Sequence, residues 1–160
     1  MKLCLAIIRV GIYAIVFGVF IVIGACGHVL FFMSPPRLLK WIAFFARWWA
    51  RATCLVLNIQ IRVEGDTQTK PGSLIVANHV GSPDIFILGA CFNGFFVSKA
   101  EIADWPLFNW LARLGMTIFA DRSKRHQVKT IIREISERLN ADHSVILFPE
   151  AQATDGADVV

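Results

Sequence analysis

Acidic residues are missing from the first 63 positions of this 160-residue chain, although Lys2, Arg9, Arg37, Lys40, Arg47, Arg51 and Arg62 all lie there. Charge of either sign is scarce: 18% of the residues are charged and 56% hydrophobic, and the mean hydropathy is +0.57. That scarcity excludes a disordered tail, a collagen-like chain and a highly charged solvating protein, and makes a membrane-associated protein the leading class. No CxxC pair occurs among Cys4, Cys26, Cys54 and Cys91, and all four sit in apolar surroundings. Buried thiols are therefore expected rather than a disulfide frame or a zinc site. There is no internal repeat and no low-complexity segment. The length suits one modest domain. Residues 64–160 hold the other nine basic residues and all twelve acids. A basic, apolar front half points to anionic membrane lipids, and nucleic acid is the weaker partner because the charges sit among long apolar runs.

No charged residue occurs from Val10 to Pro36, and the 24 residues to Met33 suffice for a bilayer core that needs ~20. Gly11, Gly18, Gly24 and Gly27 are tolerated in such helices, and Ser34-Pro35-Pro36 breaks the run. The run is too long for a signal peptide core of about 7–15 residues. Ile23-Gly24-Ala25-Cys26 resembles a lipoprotein cleavage box, but Val29, Leu30, Phe31 and Phe32 follow where a polar tether belongs. His28 reads as an interfacial residue or as a functional polar group in a membrane segment. In the next stretch, Arg37, Lys40, Arg47 and Arg51 fall within roughly 80° of arc on one helix face. With Trp41, Phe44, Phe45, Trp48 and Trp49 alongside, they favour a helix in the headgroup layer over one packed on a domain. Counting flanking bases puts the rest of the chain in the cytoplasm. A hairpin dipping into one leaflet satisfies the same residues.

From Asn58 the pattern changes. Ile59 to Glu64 alternates as a half-buried strand, and Leu74–Ala77 reads as a buried one. Helices are expected over Pro83–Cys91, with Ser82 as N-cap, over Trp105–Leu114, and after a Ser123 cap through Val128, Ile131, Ile132, Ile135 and Leu139. Strands are expected at Phe95–Ser98, Met116–Phe119 and Val145–Phe148. The alternation implies an α/β layer around a largely parallel sheet. The expected boundaries are 1–57 for the anchoring helices and 58–160 for the α/β domain.

Three strand ends carry candidate chemistry. Asn78-His79-Val80-Gly81-Ser82-Pro83-Asp84 lies where a strand gives way to a helix, the usual place for a site in an open α/β sheet. An Asp accepting from one imidazole nitrogen leaves the other to take a proton from a hydroxyl, although a turn-capping His and a helix-start Asp would look alike. Ser82 has no GxSxG elbow around it and makes a poor nucleophile, which counts against a lipid serine hydrolase. Arg122 follows a strand and suits bidentate phosphate binding, and Lys124, Arg125, His126 and Lys129 make its neighbourhood positive. Phe148-Pro149-Glu150 ends another strand, where Glu150 is placed to orient a polar substrate or simply to close a turn.

Taken together, the three segments resemble the glycerophospholipid acyltransferase family, of which 1-acyl-glycerol-3-phosphate acyltransferase is the familiar member. The family's His-x-x-x-x-Asp motif is matched by His79 and Asp84. Its second motif is matched by Gly115 and Phe119 to Arg122, and its Phe-Pro-Glu motif by Phe148, Pro149 and Glu150. Lys99 lies where the family often has a basic residue. The third motif continues with Ala151 and Gln152 where the family has Gly and Thr. The resemblance covers about residues 58–155 and implies that His79 deprotonates the free hydroxyl of a lysophospholipid, oriented by Asp84. The alkoxide then attacks the thioester of acyl-CoA or an acyl carrier protein, while Arg122 and Glu150 hold the acceptor headgroup. It implies no metal, no cofactor beyond the acyl donor and no covalent acyl-enzyme. The implied acceptor is first 1-acyl-glycerol-3-phosphate, giving phosphatidic acid, with another lysolipid such as a lyso-ornithine lipid as the alternative, and the implied location is the bacterial inner membrane, with the domain on the cytoplasmic side. Family members usually continue well past the third motif, so the expectation is a truncated chain, weakly active alone or serving as a non-catalytic lipid binder.

Overall fold

The computed structural model describes residues 2–105, 108–121 and 127–149. Two long helices come first: α1, Lys2–Leu30, and α2, Pro35–Val56. At 1.5 Å per residue, α1 is about 44 Å long. Its segment Cys4–Leu30 is long and apolar enough to cross a membrane. Ile7, Ile8, Val10, Ile15 and Val22 on it are exposed, and its C-terminal third packs on the rest of the chain through buried Phe20, Gly24 and Gly27. A Cβ on Gly27 would overlap the Trp41 indole of α2, so only glycine allows this approach. Trp41 Nε1 donates to the Ile23 carbonyl at 3.2 Å, and Phe20 stacks on Trp49 with centroids 4.9 Å apart.

A four-stranded parallel sheet forms the centre, in the order β1 (Leu74–Val76), β4 (Ser144–Leu147), β2 (Gly94–Lys99), β3 (Ile118–Ala120). Between the strands run α3 (Pro83–Cys91), α4 (Phe108–Leu114) and α5 (Val128–Asn140). Successive strand residues face opposite sides. Phe96 accordingly meets α3 at Gly89, while Val97 joins Ile118 and Val145 beneath Ile131, Ile135 and Leu139 of α5. The result is an α/β layered fold around a parallel sheet, as the alternation of elements implies. On the strands, Phe95, Ile118, Val145 and Ile146 are each 2% exposed or less.

Several local expectations need correction. Among the described residues no strand forms at Ile59–Glu64. Alternation supplies a strand's side-chain pattern but not a neighbour to pair with. The Ile59 amide donates to the Cys54 carbonyl at the end of α2 instead, at 2.8 Å, and the Ile59 side chain packs on Ala50, Cys54 and Ala90. Leu74 and Val76 lie 47% and 57% exposed, so β1 is an edge strand and not a buried one. Ser82 occupies the N-cap of α3, but its hydroxyl caps nothing. Of the helix expected over Trp105–Leu114 the described part is α4, Phe108–Leu114, and an unexpected 3-10 turn at Ala100–Asp104 lies before it. Met116 precedes β3 rather than opening it. Only Cys54 is buried; Cys4 and Cys26 are exposed on α1. The Ser123 cap lies outside the described residues.

The α2 reading also changes. One face of α2 buries Leu38, Ile42, Ala43, Ala50, Thr53 and Cys54 against the domain. Two of its four aligned bases turn inward to the end of α3. Arg47 Nε donates to Ala90 O at 3.3 Å and Nη2 to Cys91 O at 3.0 Å, and Arg51 Nε donates to Ala90 O at 3.1 Å. A helix C-terminus leaves carbonyls unpaired and carries partial negative charge, so arginines suit it. Phe44 and Trp48 remain outside, 54% and 55% exposed.

Candidate active site

In a parallel sheet every strand ends at the same edge. That edge gathers His79, three residues past β1, Lys99 at the end of β2, Asp121 after β3, and Phe148-Pro149 after β4. The register sets Lys99 beside Ala120, so the end of β2 lies against the strand that leads toward Arg122.

The turn between β1 and α3 closes around one carboxylate. Asp84 Oδ2 accepts from His79 Nδ1 at 2.9 Å, from the Val80 amide at 2.7 Å and from the Gly81 amide at 2.9 Å. The Asp84 amide in turn donates to the Gly81 carbonyl at 3.0 Å. Asp84 thus ties down the loop that leads into α3, and it orients His79 at the same time. Partial burial pushes the Asp84 carboxyl up, but the Gly81 and Val80 amides, with His79, outweigh it and hold the carboxyl below its ordinary range. Bonding Nδ1–H to a carboxylate makes Nε2 the basic nitrogen of the ring.

The His79 side chain is 23% exposed and that of Asp84 20%, so the pair is sheltered but open to a ligand. The imidazole stacks on Phe148, with centroids 4.3 Å apart and planes at 28°, and Phe148 lies near-parallel to Phe96 at 6.3 Å. The first and third motifs are therefore in direct contact. Lys99 is exposed at the same edge.

Gly115 directly follows the last residue of α4. The left-handed residue there is Met116, at φ 53°, not Gly115. Gly115 matters sterically, because a Cβ on it would sit 3.2 Å from the Leu111 carbonyl oxygen. Arg122, Glu150, Ala151 and Gln152, with Lys124, Arg125 and His126, lie outside the described residues. Sequence reasoning missed the two amides on Asp84 and the Phe96–Phe148–His79 stack. The five-residue His-to-Asp spacing was a signal for the first; nothing local signals the second.

This arrangement is a carboxylate-oriented imidazole at the carboxyl edge of a parallel sheet, a geometry able to take a proton from a hydroxyl. A family model described as Acyltransferase matches residues 59–160, and the chain belongs to that acyltransferase family. It is 32% identical over 144 residues to the lyso-ornithine lipid O-acyltransferase of Rhizobium meliloti, covering 84% of this chain and 49% of that one. It is 33% identical over 107 residues to the 1-acyl-sn-glycerol-3-phosphate acyltransferase of Neisseria meningitidis, covering 66% of this chain and 42% of that one. The crystal structure of the 1-acyl-sn-glycerophosphate (LPA) acyltransferase PlsC from Thermotoga maritima superposes with a TM-score of 0.66 at 23% identity, over 100% of this chain and 66% of that one. The chain thus spans about half, or less, of the length of the curated relatives it matches.

Proposed function

We propose that the chain carries the proton-transfer machinery of a lysolipid O-acyltransferase. The observation that carries this reading is the Asp84 carboxylate, which collects two backbone amides and the His79 ring within 2.9 Å. His79 Nε2 takes the proton of the acceptor's free hydroxyl as that oxygen attacks the carbonyl carbon of an acyl thioester. The C–O bond forms, the C–S bond breaks as the tetrahedral adduct collapses, and the thiolate of acyl-CoA or acyl carrier protein leaves with the proton returned from His79. Asp84 holds the tautomer and stabilises the imidazolium. Arg122 and Glu150 hold the acceptor headgroup, with Lys99, Gly115, Phe148 and Pro149 framing the space beside them. Helix α1 anchors the domain at the cytoplasmic side of the membrane, where the acceptor is dissolved.

Two acceptors follow from the relatives. The lyso-ornithine relative matches across more of this chain, the phosphate-acceptor relative across less, and this favours a lyso-ornithine lipid over 1-acyl-glycerol-3-phosphate. The test is transfer from labelled acyl-CoA to each lysolipid in membranes containing the chain, with His79→Ala alongside. Product with one acceptor, lost in the variant, supports the reading. Product that survives His79→Ala overturns the mechanism, and membrane or lipid binding with no transfer to either acceptor makes the chain a binder.

A further inference from the structure

Helix α4 is described over Phe108–Leu114, and its last four carbonyls each have a partner. Leu111 O accepts from the Gly115 amide at 2.8 Å, Ala112 O from Thr117 at 2.9 Å and Arg113 O from Met116 at 3.0 Å. The last two bonds form the paired closure in which a left-handed residue ends a helix, a place usually held by glycine. Here Met116 holds it, at φ 53°. A non-glycine residue there is strained and needs support from its surroundings. Part of that support is visible, since the Met116 side chain packs on the cluster of Leu38, Ile42, Ala43 and Phe95.

The fourth carbonyl, that of Leu114, is bonded from outside the domain. His28 of α1 reaches it with Nε2 at 3.3 Å, across 86 residues of chain. A carbonyl only accepts, so Nε2 carries the hydrogen. One turn earlier on the same face, Gly24 also lies against Leu114: a Cβ there would sit 3.6 Å from the Leu114 side chain, an ordinary contact distance. The turn so held runs into β3, which ends two residues before Arg122.

We infer that His28 is a positioning residue: by holding the Leu114 carbonyl, the apolar helix α1 sets the turn from which β3 runs to the carboxyl edge of the sheet. The kinetic part of this inference rests on the acyltransferase reading; the structural part does not.

The test compares the full chain in lipid bilayers with His28→Leu, which fills the space without a donor, and His28→Gln, whose amide N–H extends about as far as Nε2. Amide hydrogen exchange at Gly115, Met116 and Thr117 is read first, then KM for the lysolipid acceptor against kcat. His28→Leu is expected to speed exchange at these three amides by about three- to tenfold and to raise the acceptor KM by a similar factor, with kcat and donor KM within about twofold. His28→Gln is expected to restore both. Unchanged exchange in His28→Leu overturns the inference, as does His28→Gln behaving like His28→Leu, or kcat falling at constant KM. If the unsubstituted chain transfers no acyl group, the acyltransferase reading fails, and exchange alone decides the role of His28.

Discussion

His79 and His143 stand at opposite ends of one parallel sheet, the first beyond the end of β1 and the second just before β4. Both are sheltered, and both lie against a phenylalanine. His79 stacks on Phe148, while His143 meets Phe95 edge-on, with centroids 5.6 Å apart. Their charged neighbours differ in sign. His79 donates to a carboxylate held ionised by two amides. His143 is 8% exposed, and burial, then Arg138, then Lys40 push its pKa below the ordinary 6.5, against a smaller opposing effect of Asp142. Arg138 is itself buried, with its guanidinium 4.5 Å from the Phe95 ring centroid. A protonated His143 would add a cation beside a buried one. The same imidazole faces a carboxylate at one end of the sheet and buried positive charge at the other.

The strongest way to break this comparison is to remove the imidazole that has the carboxylate. His79→Ala is expected to lower acyl transfer by about a hundredfold or more while thermal unfolding stays near that of the unsubstituted chain. Asp84→Asn comes next. It leaves the base in place but removes its orienting charge, so a loss of about tenfold to a hundredfold in kcat is expected. The same variant should alter the acid limb of stability. The Asp84 carboxyl is held below its ordinary 3.8, so the unfolded chain binds that proton first. Its contribution is therefore present at neutral pH and fades as pH falls below 3.8. Denaturation followed from pH 6 to pH 3, roughly spanning the ordinary carboxyl range, should show a shallower decline in Asp84→Asn.

His143→Leu sharpens the contrast from the other end. With its folded pKa lowered, His143 takes up a proton more readily unfolded than folded. Stability is therefore lost as pH falls below the ordinary 6.5, and His143→Leu should flatten the dependence just under that value. Acyl transfer at neutral pH should change by less than about twofold, since this end of the sheet is remote from Asp84. The smallest effect is expected for Ser82→Ala. Its hydroxyl makes no capping bond, so stability should move by no more than about 0.5 kcal/mol and the rate should hold. A large loss of rate there would revive the serine reading.

The α/β class was legible because strands and helices alternate with distinct periods, and the bounds of α3 at Pro83–Cys91 were read from its proline start. The His79–Asp84 pair was legible because both members lie within one turn of chain. Less local matters were not. The same alternation that marks a strand occurs at Ile59–Glu64, where no described strand pairs with it and α2 holds the backbone. The four aligned bases of α2 read as one surface, yet Arg47 and Arg51 are taken up by carbonyls about 40 residues away in α3. Burial of cysteine was inferred from apolar neighbours, but Cys4 and Cys26 sit on a helix whose outer face meets no other part of the described chain.

The amino-acid order by itself determined the apolar front helix, the sequence of strands and helices, and the spacing that lets one carboxylate hold both the loop before α3 and an imidazole. These depend on periodicity and on contacts within a few residues. Only the tertiary structure decided that Phe148 stacks on His79 from 69 residues away, that Met116 rather than Gly115 takes the left-handed turn, and that His28 satisfies the last carbonyl of α4. Each of these depends on which groups are left unpaired when distant segments meet, and pairing of that kind is settled by packing and desolvation across the fold rather than along the chain.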